Sequence, residues 1–408
     1  GLIKNMILIK NKQDCTGCCA CKNICPEDAI DMIQDGEGFL YPRVNKKYCK
    51  NCGLCERICP VINTKTSTLV LRTYAAKNKN FEILKRSSSG GIFSVFAESV
   101  LKRGGVVFGA AYTCNWEVYH TFVDNIAQLD KLRRSKYVQS NVCEIYNKTK
   151  EFLDEGRPVL FSGTPCHIAG LKNFLQKDYK GLITADIFCH GVASPKVWKM
   201  FLEENTNIKN ITAVNFRDKS FGWDKSILKI YFKNKNDSIP KLPFIFRLTP
   251  YNIKQKLYCG RYLLSYMKGF LKNLFLRPSC HKCKFKGGEK NSDFTIGDLW
   301  GVDDIFPDFY DKNGVSVLTV NSLQGQRIFE DIKYKLVFKE ISLNKVIDYN
   351  RAFAASVIPN PKREEFFMRF QRESLNSLIN ELIGEMPLIK LIFGKILKKI
   401  TGLKVKSL

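Results

Sequence analysis

Eight cysteines stand at spacings suited to iron–sulphur chemistry, in two matching runs. Cys15, Cys18, Cys21 and Cys25 form a C-x2-C-x2-C-x3-C run closed by Pro26. Cys49, Cys52, Cys55 and Cys59 repeat that spacing and are closed by Pro60. Two-residue gaps wrap one loop around a cubane face, and the Pro-terminated three-residue step sends the chain across to a neighbour. In this spacing the fourth Cys of each run ligates the other cluster. The expected sets are Cys15, Cys18, Cys21 and Cys59 for one [4Fe-4S] cluster, and Cys49, Cys52, Cys55 and Cys25 for the second. Paired zinc sites usually show two CxxC pairs across a longer spacer, which fits this duplicated pattern less well.

The first run, "CTGCCACKNICP", holds one cysteine too many. The second, "CKNCGLCERICP", serves as a ruler and makes Cys19 the surplus thiol, opposite Gly53. If that loop position needs positive φ, a Cys there costs roughly 1 kcal/mol.

Further along, two cysteines sit where an α/β sheet would present them. "PVLFSGTPCHIAGLKNFL" reads as an apolar strand, a tight Gly-Thr-Pro turn and then Cys166 at the head of an amphipathic helix. "GLITADIFCHG" follows as a second apolar strand ending at Cys189. A strand–helix–strand unit places its strands parallel with a right-handed crossover. Both thiols would then emerge at the carboxyl edge of the sheet, where such sheets bind ligands. With the CxxC pair Cys280 and Cys283, they would supply four thiolates for a third [4Fe-4S] cluster. The alternative has Cys166 and Cys189 as small buried residues and the CxxC as a redox pair or half a zinc site. Upstream, "SSSGGIFSVFAESVLKRGG" reads as a helix entered through Ser and Gly. Its N-terminus suits a phosphate or pyrophosphate, or is simply capped by Ser87 to Ser89.

Composition bounds these readings. The 408 residues, 45% hydrophobic and 25% charged, are those of a two- or three-domain globular protein. No run approaches the length of a membrane span. The chain opens on Gly1, with Met6 a candidate native start, and it shows no secretory signal. Nine of the 16 cysteines fall before residue 60, at ligand spacing, so a reducing cytoplasm is expected rather than a disulfide framework. The balance of 65 basic and 39 acidic residues, +26, is compatible with nucleic acid, a membrane surface or acidic partners and selects none of them. The C-terminal "PLIKLIFGKILKKITGLKVKSL" would place Ile389, Phe393, Ile396, Ile400 and Leu403 on one helical face and Lys395 and Lys398 opposite. Such a basic amphipathic helix suits peripheral contact with an anionic membrane or docking on its own domain.

Taken together, "SSSGGIFS", "SKYVQS" (135–140), "LFSGTPCHIAGL", "DIFCHGVASPKVW", "FRDKSFGW" and "SCHKCKF…SDFTIGDLWG" occur in an order that resembles the coenzyme F-420 hydrogenase/dehydrogenase beta-subunit family, in the branch fused to an N-terminal two-cluster ferredoxin. The resemblance spans roughly residues 15 to 301. It implies an FAD-containing α/β body with an iron–sulphur cluster beside the flavin. Electrons would pass between a ferredoxin or a hydrogenase- or dehydrogenase-type redox partner and a small-molecule hydride acceptor. In relatives that acceptor is the deazaflavin coenzyme F-420 or a tetrapyrrole side group. Carried over by motif, Cys166, Cys189, Cys280 and Cys283 become the flavin-proximal cluster ligands. Ser88, Ser89, Gly90, Gly91, Lys136, Tyr137, Gln139, Gly163 and Thr164 become the FAD surroundings. Two departures stand out: His167 replaces a Gln after "TPC", and Cys19 replaces a Gly common in the first run.

The expected architecture is a two-cluster ferredoxin domain (1–62) before a larger flavin-binding α/β body, in two parts (74–150 and 151–345), with a helical basic tail (346–408). Residues 252–276 read as a basic, aromatic-bearing helical stretch. Asp293, Asp298, Trp300, Trp223 and Arg217 are second-tier site residues; His120 is read as structural or exposed; Cys114, Cys143 and Cys259 receive no role. The function expected is an FAD- and [4Fe-4S]-dependent oxidoreductase, with a non-catalytic electron-transfer subunit as the alternative. Zinc-dependent nucleic-acid binding is a third class, and no nucleic-acid partner is expected.

Overall fold

The computed structural model describes residues 6–63, 68–233, 265–287 and 289–384. The basic helix expected after Pro387, most of the 252–276 stretch and Cys259 lie outside the described residues. Among the described residues no helix is long and apolar enough to cross a membrane.

Each cysteine run turns into a short helix, α1 (Ala20–Ile24) and α2 (Leu54–Arg57). Between them β1 (Ile30–Gln34) pairs antiparallel with β2 (Leu40–Val44), Ile30 opposite Val44. Asp35 shapes the connection by accepting the N–H groups of Glu37 and Phe39 on its Oδ1, an Asx turn.

After a two-residue strand β3 (Thr68–Leu69), the chain builds a large mixed sheet. Its strands are β4 (Arg72–Asn78), β5 (Val106–Tyr112), β6 (Val118–Val123), β7 (Val159–Gly163) and β8 (Leu182–Ile187). A separate antiparallel pair, β9 (Ile211–Asp218) and β10 (Ile227–Phe232), and the short β11 (Glu289–Lys290), which pairs with β3, come next. β12 (Phe294–Asp298), β13 (Ser316–Val320) and β14 (Leu336–Glu340) complete the large sheet, in the order β14-β4-β13-β12-β8-β7-β5-β6. The central strands β12, β8, β7 and β5 run parallel, and the flanks are antiparallel.

The helices of the body include α3 (Phe81–Arg86), α4 (Ile92–Leu101), α5 (Ile145–Asp154), α6 (Pro165–Leu175) and α7 (Pro195–Asn205). The expected strand–helix–strand unit is β7–α6–β8, with Val159 beside Leu182 and Gly163 beside Asp186. β7 is buried on both faces, which explains its unbroken apolar run. Leu160 faces a layer formed by Ile92, Val95, Phe96 and Val100 of α4. Val159 and Phe161 face the opposite layer, with Ile145 and Tyr146 of α5 and Ile168 and Leu171 of α6. Cys19, Ala20 and Ile58 of the N-terminal module belong to that second layer, so the module packs directly against α5 and α6.

A few polar anchors set how the module sits. Arg277 is fully buried, and its Nε donates to the carbonyl of Cys15 at 2.8 Å. Its Nη1 donates to Gln139 Oε1 at 2.9 Å and its Nη2 to the Leu40 carbonyl at 2.8 Å. The guanidinium stacks over Tyr41, 4.4 Å from the ring centroid. Gly17 makes this approach feasible, because a Cβ there would stand 2.8 Å from Arg277 Nη1. On the far side Arg363 grips Glu37 with both Nη atoms. Asn173 and Lys284 bind the carbonyls of Asn63 and Val61. Arg277→Met should strand three acceptors, one buried and two part-buried, and cost about 3 kcal/mol, read as a fall in the anaerobic denaturant midpoint. Arg277→Lys should recover less than half, since an ammonium cannot reproduce the planar fork.

Candidate functional site

The two N-terminal runs fold so that their thiols line two separate cavities. Cys15, Cys18, Cys21 and Cys59 line the first, walled by Ile7, Ile9, Met32 and Val61. Cys25, Cys49, Cys52 and Cys55 line the second, walled by Ile30, Val44 and Leu54. The fourth cysteine of each run therefore faces the other run's cavity, the crossing that the spacing predicts. Ile7 N–H points at Cys55 Sγ (3.2 Å) and Ala29 N–H at Cys25 Sγ (3.3 Å). Such N–H···S contacts are one means of tuning a cluster's potential. The donor chemistry and the apolar walls fit four-iron clusters.

The backbone explains the ruler. Gly17 and Cys19 take φ of 70° and 57° in the first run, and Asn51 and Gly53 take 54° and 74° in the second. Both helices are thus entered through a left-handed N-cap, Cys19 in one and Gly53 in the other. Cys19 does occupy a glycine-type position, as expected. Cys19 borders the first cavity, but its thiol has partners of its own: Sγ lies 2.7 Å from Cys143 Sγ and 3.5 Å from the Gly17 carbonyl.

The four remaining candidate ligands converge at the carboxyl edge of the sheet. Cys166 stands in the first turn of α6 behind its N-cap Thr164, whose Oγ1 is 3.1 Å from Cys166 Sγ. Cys189 follows β8 directly, and Cys280 and Cys283 come from the turn after Arg277. Burial first, with the neighbouring thiols Cys280 and Cys283 adding to it, pushes Cys189 up to about 12, and burial with Cys283 pushes Cys280 up to about 11. Cys166 is raised too, first by burial and then by Cys283 and Cys189. Val192 N–H points at Cys280 Sγ (3.4 Å), and Lys286 Nζ donates to the Cys189 carbonyl. Among the described residues no three potential ligands converge on a point suited to a single ion. A cubane instead needs thiols spread around a larger body.

This group adjoins the first cavity. Cys59, Cys166 and Cys283 all pack on one small apolar cluster, Val61, Ala169 and Phe285. Gly170 of α6 rests against Cys18, and a Cβ there would come within 3.1 Å of its Sγ.

The residues expected around FAD divide into groups. Ser88, Ser89, Gly90 and Gly91 form the loop entering α4, held by Ser135 N–H on Ser88 Oγ and by Gly90 N–H on Ser316 Oγ, both 2.8 Å. Gly91 is a left-handed N-cap without a side-chain cap, so the first α4 amides have no side-chain acceptor there. Lys219 crosses this loop, donating to the carbonyls of Leu84 and Ser89. Lys136 is half-buried with Nζ on the carbonyls of Arg133 and Arg134, and burial brings it down to about 7. Tyr137 adjoins Arg217 and Asp298. Arg217 lies 3.3 Å from the Asp298 carboxylate and over the Trp300 ring, which stacks on Trp223 at 5.0 Å. Trp223 Nε1 donates to Asp298 Oδ1. Uncapped amides, cationic side chains and stacked indoles fit an anionic ring-bearing cofactor.

Gly163 and Thr164 lie apart from that loop, beside the Cys166 thiol and between His120 and His167. Gln139 turns to the N-terminal module, its Nε2 donating to the Thr16 carbonyl and its Oε1 accepting from Arg277. His120 is structural: Nδ1 is 2.7 Å from Ser140 Oγ and Nε2 3.0 Å from the Ser162 carbonyl. Burial brings it down to about 4, so it is neutral. His167 is fully buried, its Nδ1 finds no partner, and burial with the nearby His120 holds it neutral as well. Asp293 is likewise structural, its Oδ2 accepting from the N–H and hydroxyl of Thr184. Sequence reading missed Arg277 and Lys219. Arg277 stands three residues before a ligand candidate, which is the one local sign it carries.

Fold and site together define an iron–sulphur electron-transfer protein. Residues 14–63 match the 4Fe-4S dicluster domain, and residues 156–345 match the family described as the C terminus of the coenzyme F420 hydrogenase/dehydrogenase beta subunit. No curated protein matches the chain. Among solved structures, a chain of the xenon-derivatised F420-reducing [NiFe] hydrogenase complex from Methanosarcina barkeri is 16% identical. That match covers 70% of this chain and 91% of the other, with a TM-score of 0.45.

Cys18→Ala should remove a cavity thiol and lower the iron content of the anaerobically purified protein. Cys19→Gly should leave iron unchanged, because its thiol faces Cys143 and its backbone suits glycine. Iron analysis with the visible spectrum checks both; iron loss in Cys19→Gly would overturn the register.

Proposed function

We propose that the protein is an FAD- and [4Fe-4S]-dependent oxidoreductase that carries electrons from a ferredoxin-like or hydrogenase- or dehydrogenase-type partner to an organic hydride acceptor. The observation that carries this reading is the serial arrangement of three thiol quartets. Cys21 and Cys59 of the first cavity share one apolar cluster with Cys25 and Cys55 of the second, around Ile7 and Ile30, and Cys18 and Cys59 in turn border the Cys166/Cys189/Cys280/Cys283 group. Each quartet is assigned one four-iron cluster. Flavin, when bound, accepts single electrons and delivers a hydride, which explains why clusters and flavin belong on one chain.

The chain's own residues would do the binding and orienting. The Ser88–Gly91 loop and the first amides of α4 would receive the pyrophosphate, with Lys136 supplying positive charge. Lys219 fixes the loop by its three carbonyl contacts. Arg217, oriented by Asp298 and packed on Trp300, would face the anionic ring system. Electron-transfer membership of a complex without its own turnover is the competing reading. It predicts a protein that dithionite reduces but that transfers no hydride to any acceptor in the absence of partners; turnover with an acceptor and reductant alone would exclude it.

Two measurements test the assignment. The anaerobic protein should hold about twelve irons, four per cluster, and Cys280→Ala about eight with FAD retained. Eight in the wild type would remove the third cluster. Lys136 loses its charge as pH rises through about 7, so FAD affinity should fall between pH 6.5 and 9 as binding comes to require proton uptake. Lys136→Gln should bind more weakly and flatten that dependence, read by recovery of free-flavin fluorescence.

A further inference from the structure

Cys19 and Cys143 are 124 residues apart in sequence, yet their sulphurs are 2.7 Å apart. A disulfide bond is about 2.05 Å long, so joining them needs less than an ångström of approach. The backbones are already clamped. Asn23 Nδ2 donates to the carbonyl of Cys19 at 2.9 Å and to that of Cys143 at 2.7 Å. Cys143 N–H is held in turn by Asn141 Oδ1. Around them Ala20, Val142, Ile145 and Tyr146 form one apolar layer. Neither thiol belongs to any of the three quartets, and Cys19 occupies a position where glycine would sit without strain.

From this geometry we propose that Cys19 and Cys143 form a reversible disulfide that staples the dicluster module to the start of α5 when a low-molecular-weight disulfide oxidant is present. Cys143 is partly exposed and Cys19 is 1% exposed, so Cys143 meets the oxidant and Cys19 resolves the intermediate. The Cys143 sulphur attacks RSSR, forming Cys143–S–SR and releasing one RSH. The Cys19 sulphur then displaces the second RSH and closes the bond. Two protein thiols become one disulfide, RSSR becomes two RSH, and both protons leave on the released thiols. The cross-link ties the loop carrying Cys18 and Cys21 to the body by a covalent bond, while the twelve thiols of the three quartets keep their places.

The test uses the full-length, anaerobically purified holoprotein treated with oxidised glutathione, blocked with N-ethylmaleimide and digested without reductant. The expected result is a Cys19–Cys143 linked peptide, a loss of two maleimide-reactive thiols and an unchanged iron content, all reversed by dithiothreitol. Cys143→Ser and Cys143→Ala should each abolish the linked peptide while keeping wild-type iron. If Cys143 is fully alkylated and no link forms, the proposal fails. A link that appears only together with iron loss and scrambled pairing also overturns it, since the thiols would then be oxidised as debris of cluster breakdown.

Discussion

The position of the dicluster module depends above all on the buried guanidinium of Arg277. It donates into both the first cysteine loop, at the Cys15 carbonyl, and the β1–β2 hairpin, at Leu40, while Gln139 receives it from the body. A fully buried cation is tolerated only when its donors are matched and its charge is spread. Here three acceptors and the Tyr41 face do that. Three residues later the same segment delivers Cys280. The element that locates the module thus also locates a thiol of the third quartet, so the two regions cannot shift independently without breaking buried hydrogen bonds.

Under the proposed function, that coupling gives the serial arrangement of thiol quartets its physical sense. Electron transfer between centres requires fixed, short separations, and packed side chains rather than flexible loops supply them. α6 does much of this work. Its N-terminal turn carries Cys166, its Gly170 receives Cys18, and Ala169 packs in the small cluster that also holds Cys59 and Cys283. Residue size on one helix face sets how near the two thiol groups come.

Around the loop entering α4, charge and aromaticity take over from sulphur. Lys136, Arg217 and Lys219 are drawn into partly buried surroundings against backbone carbonyls, Asp298 and the stacked Trp223 and Trp300. Two buried imidazoles, His120 and His167, stand edge to face between this region and Cys166 and remain neutral through burial. The site is thus rich in cationic and aromatic groups, which suits anionic conjugated ligands.

Local spacing was enough to decide much of this protein. The duplicated cysteine runs, their crossed pairing and the surplus status of Cys19 are legible because a short ligand loop leaves its geometry in residue intervals. The β7–α6–β8 unit is legible for a similar reason: an apolar run, a turn and an amphipathic helix are local patterns. Tertiary structure alone decided what those elements meet. Gln139 sits in a motif that suggested a flavin neighbour, yet its amide joins Arg277 and Thr16, because long-range packing and not its sequence context selects its partners. Cys143 looked like an isolated thiol until the chain brought it to Cys19 across 124 residues. Sequence intervals encode contacts made within one loop or helix; contacts between segments far apart in the chain leave no periodicity, and only the folded packing reveals them.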